Sequence, residues 1–182
     1  MMTMMKRKRV LRPVALVTAV LTVFLATAFM PAAASAQSTV VVVVRHAETA
    51  GGMGGDPALS EAGTARAQAL VDLLKNANVA AIYATQYQRT RLTAAPLADA
   101  LHLSVNTIQA SNPMQAHVDA IAAKVKEHAG KTVLVVGHSN TVPMIVKALG
   151  GPDIGSIPET EYDNLFTIIT GASGVRLVRS RY

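Results

Sequence analysis

Two histidines and two arginines stand where apolar runs of the sequence end. Arg45-His46-Ala47-Glu48-Thr49 follows Thr39 to Val44, a run that is almost pure valine. Gly137-His138-Ser139-Asn140-Thr141 follows the apolar run Thr132 to Val136, and Arg89 follows Val79 to Ala84 by a few residues, within Thr85-Gln86-Tyr87-Gln88-Arg89-Thr90. A neutral imidazole carries a lone pair that can attack an electrophile, and its unperturbed pKa of about 6.5 leaves it available near neutrality. Guanidinium forks match phosphate oxygens two at a time, and helix N-termini add backbone N–H groups for an anion. The four side chains, if they converge, describe a pocket that holds an anion and attacks it. The plain structural alternative is that Arg45 caps the edge of a sheet and His46 is a satisfied loop histidine.

The runs before these residues decide whether they can converge. Short, β-branched, all-apolar runs suit strands buried on both faces of a parallel sheet, and the carboxyl ends of such strands line the ligand crevice. Strands are expected at 39–44, 79–84, 103–108 and 131–136, with a final pair at 165–170 and 175–179 around the turn Gly171-Ala172-Ser173-Gly174. Between them, Ser60 N-caps a helix carrying Leu70, Leu73 and Leu74. Gln86 to Leu101 reads as a helix interrupted by Pro96, Pro113 opens a third ending at Gly130, and a fourth runs from about Thr141 to Leu149. This alternation predicts one α/β domain of three layers, a mostly parallel central sheet with helices on both faces. The crevice would be lined by the loops 51–59, 104–114 and 150–163. The first of these contains Gly51, Gly52, Gly54 and Gly55 but no Walker motif.

Residues 1–36 read as a separate segment. Lys6, Arg7, Lys8, Arg9 and Arg12 form a basic start, 14–30 is apolar and uncharged, and Ala34-Ser35-Ala36 fits a small-x-small cleavage site. A secretory signal peptide cut before Gln37 is the reading favoured over an uncleaved anchor, because Pro31 and an alanine-rich tail follow the apolar run directly. Export, to a periplasm or to the exterior, is then expected, with no stable membrane association after cleavage. The chain carries 17 Lys+Arg against 11 Asp+Glu. Five of the bases and none of the acids lie in this leader, so the domain 37–182 is close to neutral, with no basic face to argue for nucleic acid. There is no cysteine, which removes disulfides, a thiolate nucleophile, a cysteine metal site and a lipidated cysteine.

Taken together, Arg45-His46-Ala47-Glu48-Thr49, Asp56-Pro57-Ala58-Leu59-Ser60-Glu61-Ala62-Gly63, Thr85 to Thr90 and Gly137-His138-Ser139 resemble the histidine phosphatase superfamily, also called phosphoglycerate mutase-like. The match runs in order through nearly all of 37–182. The resemblance implies the phosphoglycerate mutase-like fold. It further implies that His46 becomes phosphorylated, that Arg45 and Arg89 grip the phosphoryl oxygens, and that His138 completes the pocket. The substrate would be a phosphorylated small molecule or a phosphoprotein. No metal or other cofactor is required, since the arginines supply the positive charge, and water would hydrolyse the phosphohistidine.

Three departures bear on mechanism. Ala47 stands where the motif usually has glycine, a small change if the backbone there is ordinary. Members of the mutase type carry a glutamate acid after the second arginine, and 104–117 contains no carboxylate; the phytase-type branch has an aspartate after the second histidine, here Ser139. The proton donor is therefore open between Glu48 and Asp163, with Glu161 nearby. A phosphoramidate or acyl phosphate would need no strong internal acid. Thr49, Thr85 and Asn140 can donate hydrogen bonds to phosphate, though such residues at loop ends are more often caps.

The compact length and the missing acid favour phosphatase over mutase, since no insertion forms a lid. An exported phospho-ligand binding module without turnover is the non-enzymatic alternative. A serine hydrolase built on Ser139 is set aside because no histidine follows it. His102, His117 and His128 have no metal-ligand spacing and are expected at helix ends and surfaces.

Overall fold

The computed structural model describes residues 37–51 and 55–182, so the expected leader, residues 1–36, lies outside the described residues. Ten elements follow in order: β1 Thr39–Arg45, α1 Glu61–Leu74, β2 Val79–Ala84, α2 Gln88–Leu101, β3 Val105–Thr107, α3 Met114–Lys126, β4 Thr132–Gly137, α4 Val142–Ala148, β5 Asn164–Gly171 and β6 Gly174–Arg181. The strands form one sheet in the order β3-β2-β4-β1-β5-β6. β1, β2, β3 and β4 run parallel, whereas β5 is antiparallel to β1 and forms a hairpin with β6. This is the mostly parallel, three-layer α/β fold expected.

Side-chain alternation along the central strands divides the core in two. Val41, Val43, Val133 and Val135 face α3 and α4, where Val118, Ile121, Val142 and Ile145 meet them. Val42, Val44, Leu134 and Val136 face α1 and α2, meeting Leu70, Leu74, Leu97 and Ala98. β1 is paired on both edges and covered on both faces, and Val41 to Val44 are at most 3% exposed. Each such valine contributes about 1.5–3 kcal/mol of burial. That packing makes β1 a rigid base for the two residues at its end.

Local expectations shift in three places. α2 runs straight through Pro96, which was expected to interrupt it. The proline forgoes only the bond to the Leu92 carbonyl, on a turn that faces solvent, with Leu92 39% exposed. β3 is shorter than the run 103–108 and lies at the sheet edge, where one neighbour sustains fewer ladder bonds. α3 ends at Lys126, and Gly130 in the left-handed region turns the chain back toward β4.

Ser60 caps α1 as expected, its hydroxyl accepting from the Gly63 N–H at 3.1 Å. Gly63 matters for a different reason. A β-carbon there would lie 2.0 Å from the Glu48 carbonyl oxygen, because α1 packs directly on the backbone that follows His46. Gly63→Ala is expected to lose about 1–3 kcal/mol of stability, measured by denaturant unfolding, through displacement of that backbone. A variant as stable as the parent would show that the two segments separate freely.

Candidate active site

The register of β1 against β4 brings the two histidines together. Arg45 pairs with Gly137 in the ladder, and the His46 N–H donates to the Gly137 carbonyl at 2.9 Å. The rings of His46 and His138 meet edge-on, with centroids 5.4 Å apart. His46 Nδ1 is 2.8 Å from the Ala47 carbonyl oxygen, which can only accept. Nδ1 therefore carries the proton, and Nε2 holds the lone pair. Ala47 is fully buried, lies outside the left-handed region, and donates its N–H to Thr93 Oγ1 at 2.9 Å. Thr93 in turn donates to the Arg89 carbonyl at 2.7 Å, so α2 is tied to the loop after β1.

Both guanidiniums are held from several sides. Arg45 Nη1 donates to the carbonyls of Pro158 and Glu161 at 3.0 and 3.1 Å, Nη2 pairs with the Glu159 carboxylate, and the ring of Tyr162 lies 4.0 Å away. Its Nε is buried with no hydrogen-bond partner among the described residues. Arg89 lies 4.4 Å from the ring of Tyr87 and 3.5 Å from Asp56, whose carboxylate also accepts from the Gln88 N–H at the start of α2. His138 is steadied by Thr85, with Nε2 and Oγ1 3.1 Å apart, and Thr85 is bonded to the buried Thr90.

One open cleft of about 770 Å³ collects most of these groups. Arg45, His46, Arg89, His138, Thr49 and Asn140 all line it. Three candidates do not. The Glu48 carboxylate is clamped by Arg66 at 2.7–3.0 Å and held below the usual carboxylate range by those bonds. Asp163 is bonded to Arg181 at 2.7 Å and is likewise lowered. Thr85 is spent on His138 and Thr90. The carboxylate that does line the cleft is Glu159, which sequence reading did not single out. It is held ionised by a 2.5 Å bond from Ser139 and by the charge of Arg45.

His117 also lines the cleft and is only 1% exposed, not on the surface as expected. It occupies the inward stripe of α3, four residues before Ile121, and that spacing was the signal available. His128 bonds the Tyr83 hydroxyl at 2.8 Å, and His102 is the left-handed C-cap of α2. Among the described residues no group of three His, Cys, Asp or Glu is arranged to hold a metal ion.

Burial, the largest cause, pushes the His46 pKa down to about 4, with Arg45 and Arg89 adding to the fall. His138 is pushed down to about 3 by burial first and by the charge of His46 next. Lowering favours the neutral form, so His46 keeps its lone pair free from about pH 4 upward. An NMR titration of its ring is expected to show a midpoint near 4, and a midpoint near 6.5 would contradict the burial. Stability follows the same sign. Above the unfolded value of about 6.5 both states are neutral and the contribution is complete; below it the unfolded chain takes up protons that the fold refuses, and stability falls with pH.

The family model for the histidine phosphatase superfamily (branch 1) matches residues 41–112, a stretch that spans β1 to β3 and contains both arginines and His46. Over that stretch the chain is similar to the histidine phosphatase superfamily. Solved structures of similar fold extend the likeness over the rest of the domain. A mycobacterial glucosyl-3-phosphoglycerate phosphatase is 16% identical, with 80% of this chain and 98% of that chain covered and a TM-score of 0.58. The protein histidine phosphatase SixA complexed with tungstate is 18% identical over 78% of this chain and 96% of its own, at 0.62. A phosphoglycerate mutase from Bacillus anthracis str. Sterne is 14% identical over 80% and 94%, at 0.64. No curated protein sequence matches the chain. Arg45, His46, Arg89 and His138 stand at the carboxyl ends of β1, β2 and β4 or just beyond them.

Proposed function

We propose that the chain is a metal-independent phosphatase that hydrolyses a phosphomonoester or phosphoramidate through a phosphohistidine on His46. The observation that carries this reading is the lone pair of His46 Nε2, left free by the Ala47 bond, in a cleft shared with Arg45, Arg89 and His138. In the first step Nε2 attacks phosphorus, a P–N bond forms, and the bond to the leaving group breaks. The arginines spread the charge on the phosphoryl oxygens, which is the main demand of this chemistry. Water then attacks the phosphohistidine, its P–N bond breaks, and inorganic phosphate departs.

No carboxylic acid kept protonated by its surroundings lines the cleft, since Glu159 is the one carboxylate there among the described residues and it is held ionised. This supports a phosphoramidate, whose nitrogen leaves without strong acid assistance, over an alkyl ester. The SixA neighbour is a protein histidine phosphatase, and a phosphorylated histidine is a phosphoramidate. The basic, apolar and small-residue order of residues 1–36 supports action outside the cytoplasm. The test is phosphate release by the purified protein, without added metal, from a phosphohistidine peptide and from p-nitrophenyl phosphate. Turnover with the phosphohistidine peptide ahead is expected; no turnover on either sinks the reading.

A further inference from the structure

Of the three histidines that line the cleft, His117 is the one that the chemistry above leaves idle. Its Nδ1 lies 3.0 Å from the Gln109 carbonyl oxygen, and because a carbonyl only accepts, Nδ1 carries the proton. Nε2 is then a lone-pair acceptor. It is buried and has no partner among the described residues, although His117 lines the cleft. An unmet acceptor in a buried position costs stability, and its position in the cleft offers a way to meet it. The cleft residues nearest it in sequence, Ala110, Ser111, Asn112 and Met114, are uncharged, so neither a second anion nor an ammonium is matched by charge there.

We infer that His117 is a specificity-determining acceptor whose Nε2 takes a hydrogen bond from an N–H on the leaving group, as an N-phosphorylated imidazole presents at the ring nitrogen remote from phosphorus. This rests on the phosphatase reading and deepens it. When His46 Nε2 forms its bond to phosphorus, the bond from phosphorus to the leaving ring breaks and its electron pair stays on the ring nitrogen. The remote nitrogen keeps its proton, so a neutral imidazole departs and no proton donor is needed. Accepting from the remote N–H favours the protonated ring, which is the form that leaves neutral. The missing acid and the idle histidine are then one feature.

The test compares N-phosphoimidazole in its ring-protonated form with 1-methyl-3-phosphoimidazolium, which has the same charge and closely similar leaving ability but no N–H. The wild-type protein is expected to prefer the first by about tenfold to a hundredfold in kcat/KM. In His117→Leu the rate on N-phosphoimidazole should fall to near that of the methylated compound, and His117→Gln, which keeps an acceptor, should restore much of the preference. Equal rates in the wild type, or an undiminished preference in His117→Leu, would overturn the inference. Should His117→Leu fail to fold, ring ¹⁵N NMR of the wild-type protein with vanadate decides. At about pH 9, where both added rings are unprotonated, the His117 Nε2 resonance should move on adding imidazole and stay on adding 1-methylimidazole; the same response to both overturns the inference. That readout needs no turnover. An imidazole response in a protein that hydrolyses neither substrate would sink the phosphatase reading alone, whereas turnover dependent on His46 without discrimination would sink only the role of His117.

Discussion

His46→Ala is expected to lower kcat/KM on a phosphohistidine peptide by about 10⁴-fold or more and to leave no acid-stable or base-stable phosphoryl adduct on the protein. The size of the loss follows from what the ring does. Its Nδ1 proton is donated to the Ala47 carbonyl, which leaves the Nε2 lone pair free in a cleft that also holds Arg45 and Arg89. His138 is no substitute, because its Nε2 is engaged with Thr85. The fold should survive, since β1 is held by its neighbours on both edges and by four buried valines rather than by the imidazole. Rapid quench of the wild type should trap phosphate on nitrogen, base-stable and acid-labile. Undiminished turnover in His46→Ala would remove the phosphohistidine from the mechanism.

Arg45→Met is expected to cost about 10²- to 10³-fold in kcat/KM, the scale for removing a group that stabilises charge on the transferred oxygens. Two losses combine. The cation at the end of β1 disappears, and the Pro158 and Glu161 carbonyls lose the donor that draws their loop over the cleft. Hydrogen exchange should therefore quicken across residues 158–163 as the rate falls. Arg45→Lys is expected to be intermediate, because the ammonium keeps the charge but not the planar fork that reaches two carbonyls and an anion together. A loss under tenfold in Arg45→Met would leave Arg89 as the sufficient cation.

The sheet was legible because its strands need both faces apolar, and Val41 to Val44 and Val133 to Val136 admit no other reading at that length. The four cleft residues at or after strand ends were legible for the same reason. Strand order places β1 beside β4, so His46 and His138 converge without help from any loop. What stayed hidden depends on chain paths that no local pattern encodes. Glu159 and Tyr162 reach Arg45 only because the segment before β5 folds back across the end of β1, more than a hundred residues away in sequence. Glu48 looked available until α1 brought Arg66 against it, and Asp163 until β6 brought Arg181. The burial of His117 follows from its spacing on the inward stripe of α3 rather than from its polar type. Pro96 leaves α2 unbroken because a solvent-facing turn tolerates one missing bond.

Glu159 on Arg45 and Asp56 near Arg89 mean that the site is furnished with its own counter-ions. Occupation by phosphate is then an exchange of anions rather than an addition to bare cations. A single carboxylate per guanidinium is the competitor, so a dianion that touches both arginines at once has the advantage over a monoanion that touches one. In the proposed reaction the exchange also runs in reverse. The carboxylates are placed to return to the guanidiniums as inorganic phosphate departs, which lowers the affinity for product.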